Sequence, residues 1–121
     1  MSKIEALSAN DIAARLVTLP RWTMQDGALQ RSFRTSGWKA SLMLVNAVGH
    51  LAEVAWHHPD LFVSWDKVVV RLTTHDAGGV SARDFELAAK IEEFVLWRPA
   101  GADALEGTPG DPRFAYIVRD P

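Results

Sequence analysis

No cysteine occurs among the 121 residues, so neither a disulfide framework nor thiolate chemistry is open to this chain. A cytoplasmic setting is the expectation that follows. Long apolar runs are missing too. No segment approaches the roughly 20 apolar residues that span a bilayer, and the opening MSKIEALSANDIAARL lacks the apolar stretch of a signal peptide. No membrane partner is expected. Neither sign of charge dominates: a net charge of −2 and a pI near 6.0 give no electrostatic footprint for nucleic acid. There is no Gly-rich phosphate loop, no internal repeat and no low-complexity segment.

What remains is 48% hydrophobic and 23% charged, the balance of a globular domain with a core of its own. A single domain over 1–121 is expected, with a core of about 7–95 and a C-terminal extension over 96–121. Ser8 is a good helix N-cap, with Ile12, Leu16 and Val17 giving an apolar face before Pro20. Residues 22–25 and 28–33 flank Asp26-Gly27, a strong two-residue hairpin signal. Within that hairpin Leu29, Arg31 and Phe33 share one face. Thr35 or Ser36 can cap a long helix reaching about Trp56, with an apolar stripe of Ala40, Leu44, Ala47 or Val48, Leu51 and Ala55. A second stripe, Asn46, His50, Glu53 and His57, is polar and leads toward the helix end. Residues 61–65 and 68–74 form a second hairpin around Asp66-Lys67, its β-branched second arm suited to a central strand. Ser81 opens a third helix reaching about Trp97. A Gly/Pro-rich loop follows, then residues 114–118 as a short strand that could join a sheet edge or a second subunit. The order α-β-β-α-β-β-α predicts an α+β two-layer sandwich, a four-stranded antiparallel sheet covered on one face by helices.

The chemistry concentrates between Glu53 and Asp84. Three of the four histidines lie there, at 57, 58 and 75. Glu53 precedes His57 by one helical turn, so a helix reaching His57 sets both side chains on one face. Pro59 disfavours helical dihedrals at His58, which sends that ring another way. His75 ends the strand-like run and could close a third side of one pocket. Imidazole suits proton transfer at neutral pH because both of its protonation states are populated there.

Each residue also has a plainer reading. A histidine pair at a helix end is favoured by the dipole. Two or three histidines with a carboxylate can hold zinc or iron, although adjacent His-His is not the helical i, i+4 pair that such sites often use. Ser81-x-x-Asp84 is a capping pattern, and a cap and a pocket role for Asp84 are compatible. A tryptophan at Trp22 fits a core as well as a pocket. Trp56 and Trp65 read as core or pocket wall, and His50 as exposed.

Glu53-x3-His57-His58-Pro59, followed by Trp65, His75 and Asp84, with a Thr-His strand end, Gly78-Gly79 and Ser81-x-Arg83-Asp84, resembles the pterin-4a-carbinolamine (4a-hydroxytetrahydrobiopterin) dehydratases. Seven positions match over 32 residues. The resemblance runs from about Leu7 to Val95 and implies the sandwich above. It also implies loss of water from a 4a-hydroxytetrahydropterin to give the quinonoid dihydropterin, with no cofactor and no metal. His57 and His75 would be the acid/base pair. His58 would bind and orient the ring, Glu53 would polarise His57, and Asp84 and Trp22 would support or bind the substrate. A dimer or tetramer is implied as well. Similar proteins also serve as non-catalytic binding or assembly factors, for example for Rubisco; the three retained histidines favour the enzyme, and the extension over 96–121 is the departure from the family pattern.

Overall fold

A computed structural model describes residues 4–101 and 103–119 of the chain; the two ends of the expected 1–121 domain and one residue of its extension lie outside them. The elements run α1 (Ala9–Leu16), β1 (Thr23–Gln25), β2 (Ala28–Arg34), α2 (Trp38–Ala55), β3 (Asp60–Ser64), β4 (Lys67–Leu72) and α3 (Ala82–Val95). The four strands form one antiparallel sheet in the order β1-β2-β4-β3. This is the expected α+β arrangement.

Its registers follow from local chemistry. Asp26 and Gly27 both take positive φ, 49° and 80°, the two-residue turn whose twist suits a hairpin, and Gln25 pairs directly with Ala28. Along β2, Leu29, Arg31 and Phe33 point inward and are buried, while Ser32 and Arg34 face solvent. Beside them β4 buries Val68, Val70 and Leu72. The inner sheet face meets Leu44 and Val48 of α2 and Phe85, Ala88 and Ile91 of α3 in one apolar cluster. Each fully buried Leu or Val contributes about 1.5–3 kcal/mol. Among the described residues no helix is long and apolar enough to cross a membrane.

Four details differ from the sequence reading. Neither Thr35 nor Ser36 caps α2: Gly37 does, without a side-chain bond. The Thr35 hydroxyl is instead drawn inward to the Ser41 hydroxyl at 2.7 Å. Second, the β3–β4 turn is Trp65-Asp66, since Ser64 pairs with Lys67. Trp65 is therefore 65% exposed rather than core, its ring lying over Gly37, where an added Cβ would sit 3.4 Å from it. Third, the inward stripe of α2 is Ala40, Ser41, Leu44, Val48 and Ala52. Asn46, His50 and Glu53 of the polar stripe are exposed to solvent, and only its last member, His57, reaches a cleft.

Fourth, the described residues of the extension make no regular strand. A single helical turn at Pro112–Phe114 precedes one isolated bridge between Thr35 and Ile117. Around that bridge Ser36 N–H donates to the Tyr116 carbonyl at 3.1 Å, and Val118 N–H to the Arg34 carbonyl at 2.9 Å. The segment thus occupies the part of the β2 edge that three-residue β1 leaves uncovered. Tyr116 packs against the core, and burial raises its phenol above the usual 10.0. It is the single tyrosine, so phenolate absorbance reports on it alone. A folded-state pKa above the unfolded value means stability held below pH 10.0 and lost as pH rises past it. The phenol is expected to titrate at higher pH in the native chain than in urea; coincident midpoints would show an undocked tail.

Candidate active site

Helix α2 stops earlier than proline alone requires. Trp56 takes the left-handed conformation (φ 53°, ψ 45°), its N–H bonding the Glu53 carbonyl at 3.3 Å, and His57 N–H bonds the Ala52 carbonyl at 3.1 Å. These are the paired bonds of a Schellman ending, with tryptophan where glycine is usual. The reversal swings His57 off the helix axis toward the start of α3. A non-glycine residue in this region carries about 1–2 kcal/mol of strain. Trp56 is 75% exposed and loses little burial on replacement. Trp56→Gly is accordingly expected to raise the thermal midpoint by a few degrees, about 0.5–1 kcal/mol. A lowered midpoint would show that the indole stabilises this turn more than the backbone opposes it.

At the other side of the site the chain arranges a buried carboxylate. Ser81 caps α3 and Asp84 completes a capping box, Ser81 N–H donating to Asp84 Oδ2 at 2.8 Å. Thr74, the last residue before the strand-tip turn, donates its hydroxyl to the same oxygen at 2.8 Å. With that proton committed, the 2.7 Å contact between Thr74 and Ser81 hydroxyls runs from Ser81 to Thr74, while Ser81 Oγ accepts Arg83 N–H at 3.2 Å. Every link donates toward Asp84, which is fully buried.

The second oxygen meets His57: Nε2 lies 2.6 Å from Asp84 Oδ1, with the imidazole side chain 14% exposed. Nε2 therefore donates, and Nδ1 of His57 is left to take or give a proton. A triad-like logic results, in which a buried acceptor fixes the tautomer and orientation of an imidazole. His57 also lines a cleft of 620 Å³ between the end of α2 and α3. Leu51, Val54, Trp56 and Leu87 make its apolar side, and Arg83 and Lys90 bring positive charge.

This corrects the expected pairing. Glu53 does not polarise His57. Its carboxylate takes His58 Nε2 at 2.7 Å, on the surface, where both side chains are more than half exposed and such pairs add little. The early helix stop is the reason, since it turns His57 inward and leaves His58 beside the helix face that carries Glu53. The Trp56 and His58 rings meet edge to face at 5.0 Å. His75 is exposed at the head of the 3-10 turn His75–Ala77. Neither His58 nor His75 is a wall of the His57 cleft. His75 is tied to His57 through its neighbour Thr74 and Asp84.

Trp22 is 2% exposed and belongs to the core, its indole N–H donating to Glu92 at 2.8 Å and its ring edge-on to Phe33. It does not line the cleft. Sequence reasoning missed Thr74 and Ser81 as supports, although the Thr-His strand end and the capping pattern marked both. Among the described residues no three His, Cys, Asp or Glu gather as metal ligands would.

Comparison with known proteins decides the family. The model of the pterin 4 alpha carbinolamine dehydratase family matches residues 5–94. The chain belongs to that family. A protein of Aquifex aeolicus bearing the dehydratase family's name is 45% identical over 92 residues, 76% of this chain and 93% of its own. One from Chloroflexus aurantiacus is 42% identical over 89 residues, 74% and 96% of the two chains. The crystal structure of a transcriptional coactivator/pterin dehydratase from Brucella melitensis superposes with a TM-score of 0.70 at 27% identity, covering 74% of this chain and 98% of that one. The dehydratase-family match thus ends close to the C-terminus of α3.

Proposed function

We propose that the chain eliminates water from a 4a-hydroxytetrahydropterin, with His57 as a general acid/base held by Asp84. The observation that carries the reading is the 2.6 Å contact between His57 Nε2 and a carboxylate that is fully buried. In the reaction the C4a–O bond breaks, the leaving hydroxyl takes a proton and departs as water, and N5 loses its proton. The N5–H bonding pair becomes the C4a–N5 double bond, so atoms and electrons balance with no outside oxidant.

His57 Nδ1 serves one of these two proton transfers. His75, whose chain neighbour Thr74 bonds Asp84, serves the second, and His58 with Glu53 borders the ring. Positioned proton transfer of this kind is typically worth about 10²–10⁴ in rate. Asp84 touches no substrate in this scheme and positions the imidazole. His58 and His75 stand outside the cleft, so the ring in this scheme sits at its mouth, with the apolar walls excluding water on the His57 side.

The functional unit is a homo-oligomer in this reading. β3 is an edge strand, and with its turn it exposes Phe62, Val63 and Trp65, an apolar edge suited to a second copy. Turnover of 4a-hydroxytetrahydropterin, followed by absorbance of the quinonoid product, tests the proposal. A folded protein without turnover would sink it and leave a binding or assembly role on the same scaffold.

A further inference from the structure

The chain carries 13 Lys and Arg against 15 Asp and Glu, yet five arginines gather around one hollow. Arg21, Arg31, Arg34, Arg98 and Arg119 line a cavity of 420 Å³, and no Asp or Glu is among its described walls. That volume lies within the roughly 300–1,000 Å³ typical of small-molecule sites. It shares no lining residue with the His57 cleft.

The hollow is built by the extension. Short β1 pairs only as far as Gln30, leaving the β2 edge open from Arg31 onward, and the tail crosses there through the Val118 N–H bond to Arg34. Arg119 then donates to the Leu96 carbonyl at 3.1 Å, fastening the tail to the end of α3. Arg98 and Arg119 are brought onto the same hollow as Arg34 by this path, and both lie beyond the family match at 5–94.

The arginines divide into floor and rim. Arg31 is 8% exposed, stacks on the Phe33 ring at 4.0 Å and pairs with Glu92 from α3. Its charge is met within the fold. Arg34 and Arg98 are exposed, and among the described residues neither has a carboxylate partner. The exposed guanidinium groups of Arg34 and Arg98 line the same hollow, and a ligand with two or more negative charges can meet both. The planar fork matches phosphate oxygens two at a time. Leu96 and Ile117 offer apolar wall to an organic moiety. A long polyanion fits poorly, because the net charge of −2 repels it outside the hollow.

We infer that this hollow binds a small phosphorylated molecule of mononucleotide size. The inference stands independently of the dehydratase reading. Calorimetric titration with inorganic pyrophosphate and with adenosine diphosphate, at low and high salt, tests it on the full chain. Binding of either probe is expected, weakening with ionic strength and by about tenfold or more in the Arg34→Ala/Arg98→Ala variant. Both side chains are exposed, so the variant is expected to fold, and circular dichroism checks that it does. No binding of either probe at about 1 mM, or binding unaltered in the variant, overturns the inference. A single-stranded oligonucleotide bound more tightly than adenosine diphosphate overturns it as well.

Discussion

His57→Ala is expected to lower turnover of 4a-hydroxytetrahydropterin by about 10²–10⁴-fold, the span of one positioned proton transfer. The loss should fall on kcat, because the imidazole acts on protons in motion more than on the bound ring. Alanine also strips Asp84 Oδ1 of its 2.6 Å partner. A buried acceptor left bare costs about 1–3 kcal/mol, so His57→Ala alone confounds stability with catalysis. His57→Gln separates them. Its side-chain amide can donate toward Asp84 from nearly the position of Nε2 but cannot relay a proton. Turnover should collapse in both variants while the glutamine form keeps most of the parental thermal midpoint. If the glutamine variant turns over like the parent, His57 is not the acid/base group. His58→Ala provides the contrast. With its ring exposed against Glu53, its removal should raise KM and leave the fold intact.

Why some of this was legible in sequence and some was not comes down to the range of each interaction. The Asp26-Gly27 hairpin, the Leu29/Arg31/Phe33 face and the Ser81 cap rest on dihedral preferences and bonds within a few residues, and the structure has them as expected. The end of α2 near Trp56 is legible too, but the sequence offers only Pro59 as a stop signal and does not show how the chain reverses there. The observed stop is a tryptophan in a conformation that residue rarely takes. That reversal at Trp56 is what gives His57 a different partner from the expected one. Helical spacing pointed to Glu53, whereas the true acceptor lies 27 residues on, where no local rule reaches. Asp84 was visible as a cap. A cap uses only one of its two oxygens, and that spare oxygen was the available clue. The Arg31–Glu92 pair and the tail on the β2 edge are contacts between distant segments, set by tertiary packing alone.

Asp84 offers the sharper test, because its two oxygens do different work. Asp84→Ala removes the acceptor for Thr74, Ser81 N–H and His57 together, leaving buried donors unpaired. The cost should reach about 3–5 kcal/mol, enough to lower the thermal midpoint by roughly 10–20 °C. Asp84→Asn is gentler to the fold and harsher to the chemistry. Its carbonyl oxygen can still accept from Thr74 and Ser81, so the α3 cap survives. Its amide then faces His57 Nε2 as a donor, which forces the imidazole into the opposite tautomer with the proton on Nδ1. The lone pair then sits on the wrong nitrogen. kcat should fall by about 10²–10⁴-fold with KM little changed, since an orienting carboxylate acts through tautomer as well as charge. Nitrogen-15 chemical shifts of the His57 ring should report the exchange of tautomers directly, a signal that lost cap stability cannot produce. Ser81→Ala completes the comparison. It removes a cap worth about 1 kcal/mol but leaves Asp84 Oδ1 on His57, so stability should fall while the tautomer and most of kcat stay. Should Asp84→Asn retain both parental kcat and the parental tautomer, the carboxylate is only a helix cap and His57 owes its reactivity to something else.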